Sequence, residues 1–250
     1  KMRLIQGVRD LIDYRELFFA FVIRDLKVRY KQTFLGVIWV ILQPLITGVV
    51  FAAIFGLIRG RFEGTEDLLF FMAGLVPWTS FQQGTQMAAQ SLEQNANMIS
   101  KVYFPRMTVP AARVIAAMVD FLIAFATLII ITVMTNTFTP MLLYLVLPLM
   151  LLQLIFALGL GIGFSILNAQ YRDIKYTIPF LLQLGMFITV LIPLEEWRAG
   201  NVTLGSEWAW VSTYAYQILS LNPMAGVVET YRAIITGDPI NWIMLGKGTI

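Results

Sequence analysis

The 250-residue sequence contains neither cysteine nor histidine, and only 13% of its residues are charged. Without thiols there is no disulfide framework and no cysteine nucleophile. Without imidazole the commonest general base and transition-metal ligand are missing. The scarcity of charge excludes more. Globular domains carry about 25% charged residues, whereas hydrophobic types make up 58% of this chain and the mean hydropathy is +0.74. Such a chain cannot cover itself with a water-soluble surface, so the solvent over much of it is the bilayer. A phosphate-binding loop is missing too. No Gly-x-x-x-x-Gly-Lys-Ser/Thr occurs, and Gly246-Lys247-Gly248-Thr249 lacks both the first glycine and the hydroxyl beside the lysine. Any nucleotide must be handled by another chain.

What is present is a series of long charge-free intervals. The first, Phe34 to Ile58, would extend about 37 Å as a helix, against a hydrocarbon core of about 30 Å. Others lie between Asp67 and Glu93, between Arg113 and Arg172 with only Asp120 inside, and between Lys175 and Glu195. The long one must hold two spans, divided at Thr135-Asn136-Thr137 and Pro140. These intervals predict an all-α polytopic membrane protein with spans at about 34–58, 68–92, 114–135, 141–167 and 174–194. A further apolar segment begins at Ile240, so 240–250 is read as the start of a sixth span that is missing or truncated.

The net charge of +3 says less than its distribution. Lys and Arg number eight in 1–31, three in 93–113 and two in 170–175, against two in 59–67, none in 135–140 and two in 195–238. Thirteen against four predicts a cytoplasmic N-terminus. Within 1–31, charges at Arg9, Asp13, Glu16, Arg24, Lys27 and Lys31 fall opposite Leu11, Phe18, Val22, Leu26 and Tyr30, the pattern of an amphipathic helix in the membrane interface. The acids among them, and the lack of an apolar core with a cleavage site, argue against a signal peptide. Trp208 to Val228 is uncharged but interrupted by polar residues and by Asn222-Pro223, which suits a re-entrant or interfacial helical pair better than a plain span.

Ser91 to Arg106 joins two spans on the predicted cytoplasmic side and reads as half a polar helix followed by an extended Tyr-Phe-Pro. At this point a resemblance becomes specific. The strings NANMISKVYFPR (95–106), VRYKQTFLGVIWVILQPL (28–45) and AGLVPW (73–78), the Tyr171-Arg172-Asp173-Ile174 turn and the Leu221-Asn222-Pro223 step occur in the order found in membrane subunits of ABC-type polysaccharide exporters. Over nearly the whole chain the sequence resembles that family, whose permeases export O-antigen, capsular or teichoic-acid polymers. The resemblance implies one permease domain over 1–250, a homodimer in the inner membrane, and two cytoplasmic ATPase subunits that carry the ATP and Mg. No cofactor is expected on this chain. It makes 8–31 the interface helix and 195–238 a periplasmic gate. The coupling helix lies around Asn95 to Lys101, so the ATPase-coupling residues are Asn95, Asn97, Ser100 and Lys101, with Arg24 and Lys27 on the interface helix.

Other residues are singled out by their chemistry. Thr79, Gln82, Gln83, Gln86 and Gln90 form a polar stripe at three- and four-residue spacing that must not face lipid. It is either a channel wall for sugar hydroxyls or a set of interhelical hydrogen bonds worth about 0.6 kcal/mol each. Apolar faces of sugar rings stack on aromatic rings, which makes Trp39, Phe51, Phe55, Phe70, Phe71, Trp78 and Phe81 further channel candidates, packing being the alternative. Asp120 is the lone acid inside a span. It suits a proton path, or a structural role in which a neighbouring helix caps it or Arg113 bends back to it. Gly159, Gly161 and Gly163 include a Gly-x-x-x-Gly pair that permits close helix approach. The expected function is the channel-forming subunit of an ATP-driven exporter of a lipid-linked polysaccharide. The alternatives are a drug or lipid exporter of related architecture, and a membrane scaffold for polysaccharide-synthesis enzymes.

Overall fold

A computed structural model describes residues 13–31, 36–60, 64–101, 104–171, 173–191, 214, 217 and 219–247. Among them every regular element is helical. The elements are α1 (Arg15–Tyr30), α2 (Ile38–Arg59), α3 (Thr65–Gln94), α4 (Ala96–Ile99), α5 (Thr108–Met134), α6 (Met141–Gln170), α7 (Ile174–Met186, continued by a π-helical turn at Phe187–Leu191), α8 (Pro223–Thr236) and α9 (Trp242–Lys247).

The breaks follow local chemistry. Gly60 and Gly64, with φ of 67° and 63°, turn the chain between α2 and α3, and Glu66 and Asp67 suit the N-terminal end of α3. Between α5 and α6, Asn136 takes a left-handed φ of 57°, and the Thr135 and Thr137 hydroxyls bond each other at 2.8 Å. The division expected in the long apolar interval lies there. Asn222-Pro223, read from sequence as the break within an interfacial helical pair, begins α8. The Asn222 Oδ1 accepts from Met224 N at 3.1 Å, Pro223 occupies the first turn, where no N–H is needed, and Gly237 ends the helix with φ 82°. Residues 195–213 of the gate, and with them most of the first member of the expected helical pair, lie outside the described residues.

Four helices are long and apolar enough to cross a membrane among the described residues: Ile38–Ile58, Thr108–Met134, Leu143–Gln170 and Ile174–Leu191. They match four of the five expected spans. The remaining span, 68–92, falls within α3, whose thirty residues reach about 45 Å but whose glutamines and hydroxyls dilute its apolar character. It does not need a lipid-facing surface along much of its length, because Phe71 through Trp78 are all buried. α6 shows the opposite arrangement. Leu149, Gln153, Ala157, Gly161, Ser165 and Asn168 make a buried stripe, while Leu147, Leu151, Ile155 and Ile166 are exposed. The glycine expectation is corrected by this stripe. Gly159 and Gly163 have open space where a Cβ would stand, whereas a Cβ on Gly161 would lie 2.7 Å from the Cβ of Ala88. The close approach belongs to the glycine between the Gly-x-x-x-Gly pair.

The chain divides into two compact units. One consists of Lys1–Trp39, Ser80–Leu122 and Leu154–Leu182, and the other of Val40–Thr79, Ile123–Gln153 and Gln183–Ile250. In the second, α8 is held by side chains from several elements. Thr139 Oγ1 donates to Ile234 O at 2.9 Å, Asn222 Nδ2 donates to Thr189 Oγ1 at 3.2 Å, and Phe125 packs on Tyr231. Arg232 and Glu229, within the 195–238 segment that the resemblance makes a periplasmic gate, sit on this helix. Arg232 is 2% exposed. It pairs with Glu229 at 3.0 Å, donates to the carbonyl of Val190 in the π-helical turn, and lies 4.3 Å above the Phe70 ring. Gly74 leaves the space for it, since a Cβ there would meet the guanidinium at 3.0 Å.

Candidate functional site

The first unit brings α1, α4 and the start of α5 around one apolar cluster. Phe21 and Val22 of α1 meet Phe104, Val109, Ala112 and Ala116, with Leu17, Phe18, Leu26, Met98 and Ile99 packed against them. Small residues at 112 and 116 let the helices approach, and Phe21 stacks on Phe104 with ring centroids 5.7 Å apart. The single turn of α4 is therefore anchored by Met98 and Ile99 on its inner side. Its outer side presents Asn97, Ser100 and Lys101, all exposed. Asn95 is half-buried, and its Nδ2 closes the junction with α3 by donating to Ser91 O at 2.8 Å. Ser100 Oγ donates to Asn97 O at 3.1 Å, tightening the turn.

α1 is less simply divided than its sequence pattern suggests. Residues 8–12 of the expected interface helix lie outside the described residues. In the described part, Phe19, Ile23 and Val28 are exposed, whereas Asp25 is buried. The reason is a set of inward-facing charges that find partners. Asp25 forms an ion pair with Arg113 at 2.9 Å and accepts from Arg24 at 3.0 Å, and Arg24 also lies over the Phe21 ring. Arg29 pairs with Asp120, and the Tyr30 hydroxyl donates to the other oxygen of that carboxylate. Asp120 is thus capped by a neighbouring helix, one of the two structural arrangements expected. Arg113 serves Asp25 instead. Lys27 is exposed. Burial pushes Arg29 below the ordinary guanidinium value and Tyr30 above the ordinary phenol value, so the phenol keeps the proton that it donates.

Three further contacts fasten the same unit. Arg113 Nη2 approaches Gln94 Oε1 at 3.4 Å, Ser80 Oγ donates to Ala117 O at 3.1 Å, and Asn168 Nδ2 donates to Glu93 at 3.0 Å. Lys175 stands 3.6 Å from Glu93. Asp25, Arg29 and Tyr30 were missed as site residues by sequence reasoning. The available signal is an acid and a base four residues apart on one face of a helix, with an aromatic residue next in the chain.

The channel candidates separate by exposure. Gln82, Gln83, Gln86 and Gln90 are half-buried along α3, and Thr79 returns its hydroxyl to the backbone of Leu75 and Val76. Trp39 is 52% exposed. Phe51 and Phe55 are half-buried and pack on the fully buried Phe71, which also meets Phe70 edge-on. Trp78 and Phe81 are buried, and the Trp78 ring occupies the space left by Gly185, where a Cβ would come within 2.9 Å.

A chain of long apolar helices, with a short polar turn and α1 sharing one core, defines a multi-pass membrane protein. The profile of the family described as ABC-2 type transporter matches residues 16–234, and the chain belongs to that family. It is similar to an O-antigen export system permease protein RfbA from Myxococcus xanthus, with 29% identity over 233 residues, 92% of this chain and 84% of the relative. A protein of the same description from Klebsiella pneumoniae is 27% identical over 88% of this chain and 80% of its own length. The polysialic acid transport protein KpsM from Escherichia coli is 23% identical over 86% and 80%.

Proposed function

We propose that this chain is the channel-forming subunit of an ATP-driven exporter that moves a lipid-linked polysaccharide out of the cytoplasm across the inner membrane. Two copies would form the pore, with the N-terminus cytoplasmic and an ATPase subunit docked beneath each. The observation that carries the reading is the shared core of α1, α4 and α5, which leaves Asn97, Ser100 and Lys101 facing outward. A short exposed turn cannot transmit force unless it is fixed to the spans, and Met98 and Ile99 fix it. ATP binding and hydrolysis on the partner would move α4 and α1 together, and the polymer would advance stepwise, because a polymer cannot be enclosed in a drug-sized cavity. The names of the relatives support polysaccharide as cargo over a drug or lipid.

Gln82, Gln86, Gln90 and Trp39 are the wall residues this reading favours, since in a pore made by two copies the wall must be at least partly open on one copy. Amides match sugar hydroxyls without demanding one sugar sequence. Trp78 and Phe81, which are buried, would line the path only after the packing around them shifts, whereas half-buried Phe55 would need only to part from Phe71. The test of the coupling site uses the absence of native cysteine. A cysteine at Asn97 should cross-link to one placed in the ATPase, and failure in a folded, assembled complex would remove the coupling assignment.

A further inference from the structure

Asp120 is the one acid inside a span, and the mechanism above makes no use of it. Its side chain is 5% exposed and that of Asp25 is 4% exposed, so two carboxylates are buried where α1 lies against α5. Each is held across the two helices. Arg113 of α5 reaches Asp25 of α1, and Arg29 and Tyr30 of α1 reach Asp120 of α5. The earlier residues pair with each other and the later with each other, so the helices run parallel and are tied at two levels. We propose that these two ion pairs are the axial linkage through which displacement of α1 is delivered to α5, with Asp120 as the positioning residue within the span.

The apolar cluster alone would not do this. Phe21 and Val22 against Val109, Ala112 and Ala116 resist separation of the helices, but apolar contact is non-directional and re-forms after a slide along the axis. Two buried opposite charges in contact do not, because their attraction falls as they separate. A slip by one residue, about 1.5 Å, would pull a guanidinium off a buried carboxylate, and a carboxylate left unpaired in that setting is expensive. The pairs therefore hold register while the cluster holds contact. The network also reaches α3, through Arg113 to Gln94 and through Arg29 Nη2 to Met87 Sδ at 2.9 Å, so the end of α3 beside α4 belongs to the same linkage.

This inference rests on the reading that an ATPase drives the chain, and its test separates the two. The permease assembled with its ATPase in membrane vesicles is given polymer labelled from tritiated glucose, and polymer translocated per ATP hydrolysed is measured. A merely structural defect lowers both rates together, whereas loss of linkage lowers their ratio. Arg29→Gln and Asp120→Asn are each expected to cut the ratio at least tenfold while hydrolysis stays within about twofold of the parent. The exchange of Arg29→Asp with Asp120→Arg should bring the ratio back to within threefold. Parental ratios in both single variants overturn the proposal, as does an exchange variant no better than the singles when the complex assembles in parental amount. If Asp120→Asn does not assemble, Arg29→Gln, which leaves Tyr30 on Asp120, decides alone. A parent complex that translocates no polymer on ATP addition refutes the underlying function instead.

Discussion

Gly159 and Gly161 offer the same substitution on one helix with opposite expected signs. At Gly159 no atom lies within 4 Å of the position a Cβ would take, so Gly159→Ala should gain helix propensity, up to about 1 kcal/mol. At Gly161 the same methyl would stand 2.7 Å from Ala88 Cβ, 3.6 Å from Val114 Cγ2 and 3.8 Å from Thr85 Cα. Carbon atoms prefer roughly 3.5–4.0 Å. The struck atom is a Cβ fixed to the backbone and cannot rotate away, so α6 and α3 must part by about 1 Å. Overpacking of this kind costs about 1–3 kcal/mol, so with the full propensity gain of about 1 kcal/mol subtracted a net loss of up to about 2 kcal/mol remains. Ala88→Gly removes the obstructing methyl, so the double variant with Gly161→Ala should recover about 1 kcal/mol relative to additivity. Reversible unfolding in mixed micelles, titrated with dodecyl sulfate, reads all four proteins. Equal stability of Gly159→Ala and Gly161→Ala would refute the assignment of the contact to Gly161.

Substitutions at four other places test separate parts of the structure. Arg232→Met removes a charged donor from Val190 O, worth about 1.5–3 kcal/mol, and a desolvated cation–π contact worth about 2 kcal/mol, so unfolding should show a loss of about 3–5 kcal/mol; a loss below 1 kcal/mol would contradict the burial described for it. Asn222→Ala should cost about 0.5–2 kcal/mol through loss of the α8 cap, with Asn222→Asp, which retains the cap acceptor, costing less in the same assay. Gly185→Ala should displace the Trp78 ring and shift tryptophan emission, while Gly163→Ala should leave the spectrum unchanged. In this cysteine-free chain, a cysteine at exposed Asn97 should react with a maleimide at least tenfold faster than one at Ile99, and ATPase binding should protect it.

The spans were legible because charge is excluded from them by lipid, whatever packs against what. The turn at Thr135–Pro140 was equally plain, since asparagine and threonine carry the local hydrogen bonding that a turn needs. What periodicity could not reveal was pairing between segments distant in sequence. Asp25 and Arg29 look like ordinary charges of an interfacial helix, and Tyr30 like part of its apolar face, until Arg113 and Asp120, some ninety residues away, are placed opposite them. Arg232 escaped notice for a related reason. Nothing in the local sequence marks it as buried, yet a Gly74 pocket, the Phe70 face and a carbonyl in a π-helical turn together hold it so. The Gly-x-x-x-Gly pattern located the right turn of α6 but the wrong face, which depends on helix rotation that spacing alone does not determine.

The polysaccharide path itself is tested most directly in cells deprived of this permease and fed tritiated glucose. Labelled polymer should accumulate inside and be missing from the surface, and expression of the permease should return it only with an ATPase partner whose nucleotide-binding lysine is intact. Surface polymer at the parental level in the absence of the permease would contradict the account.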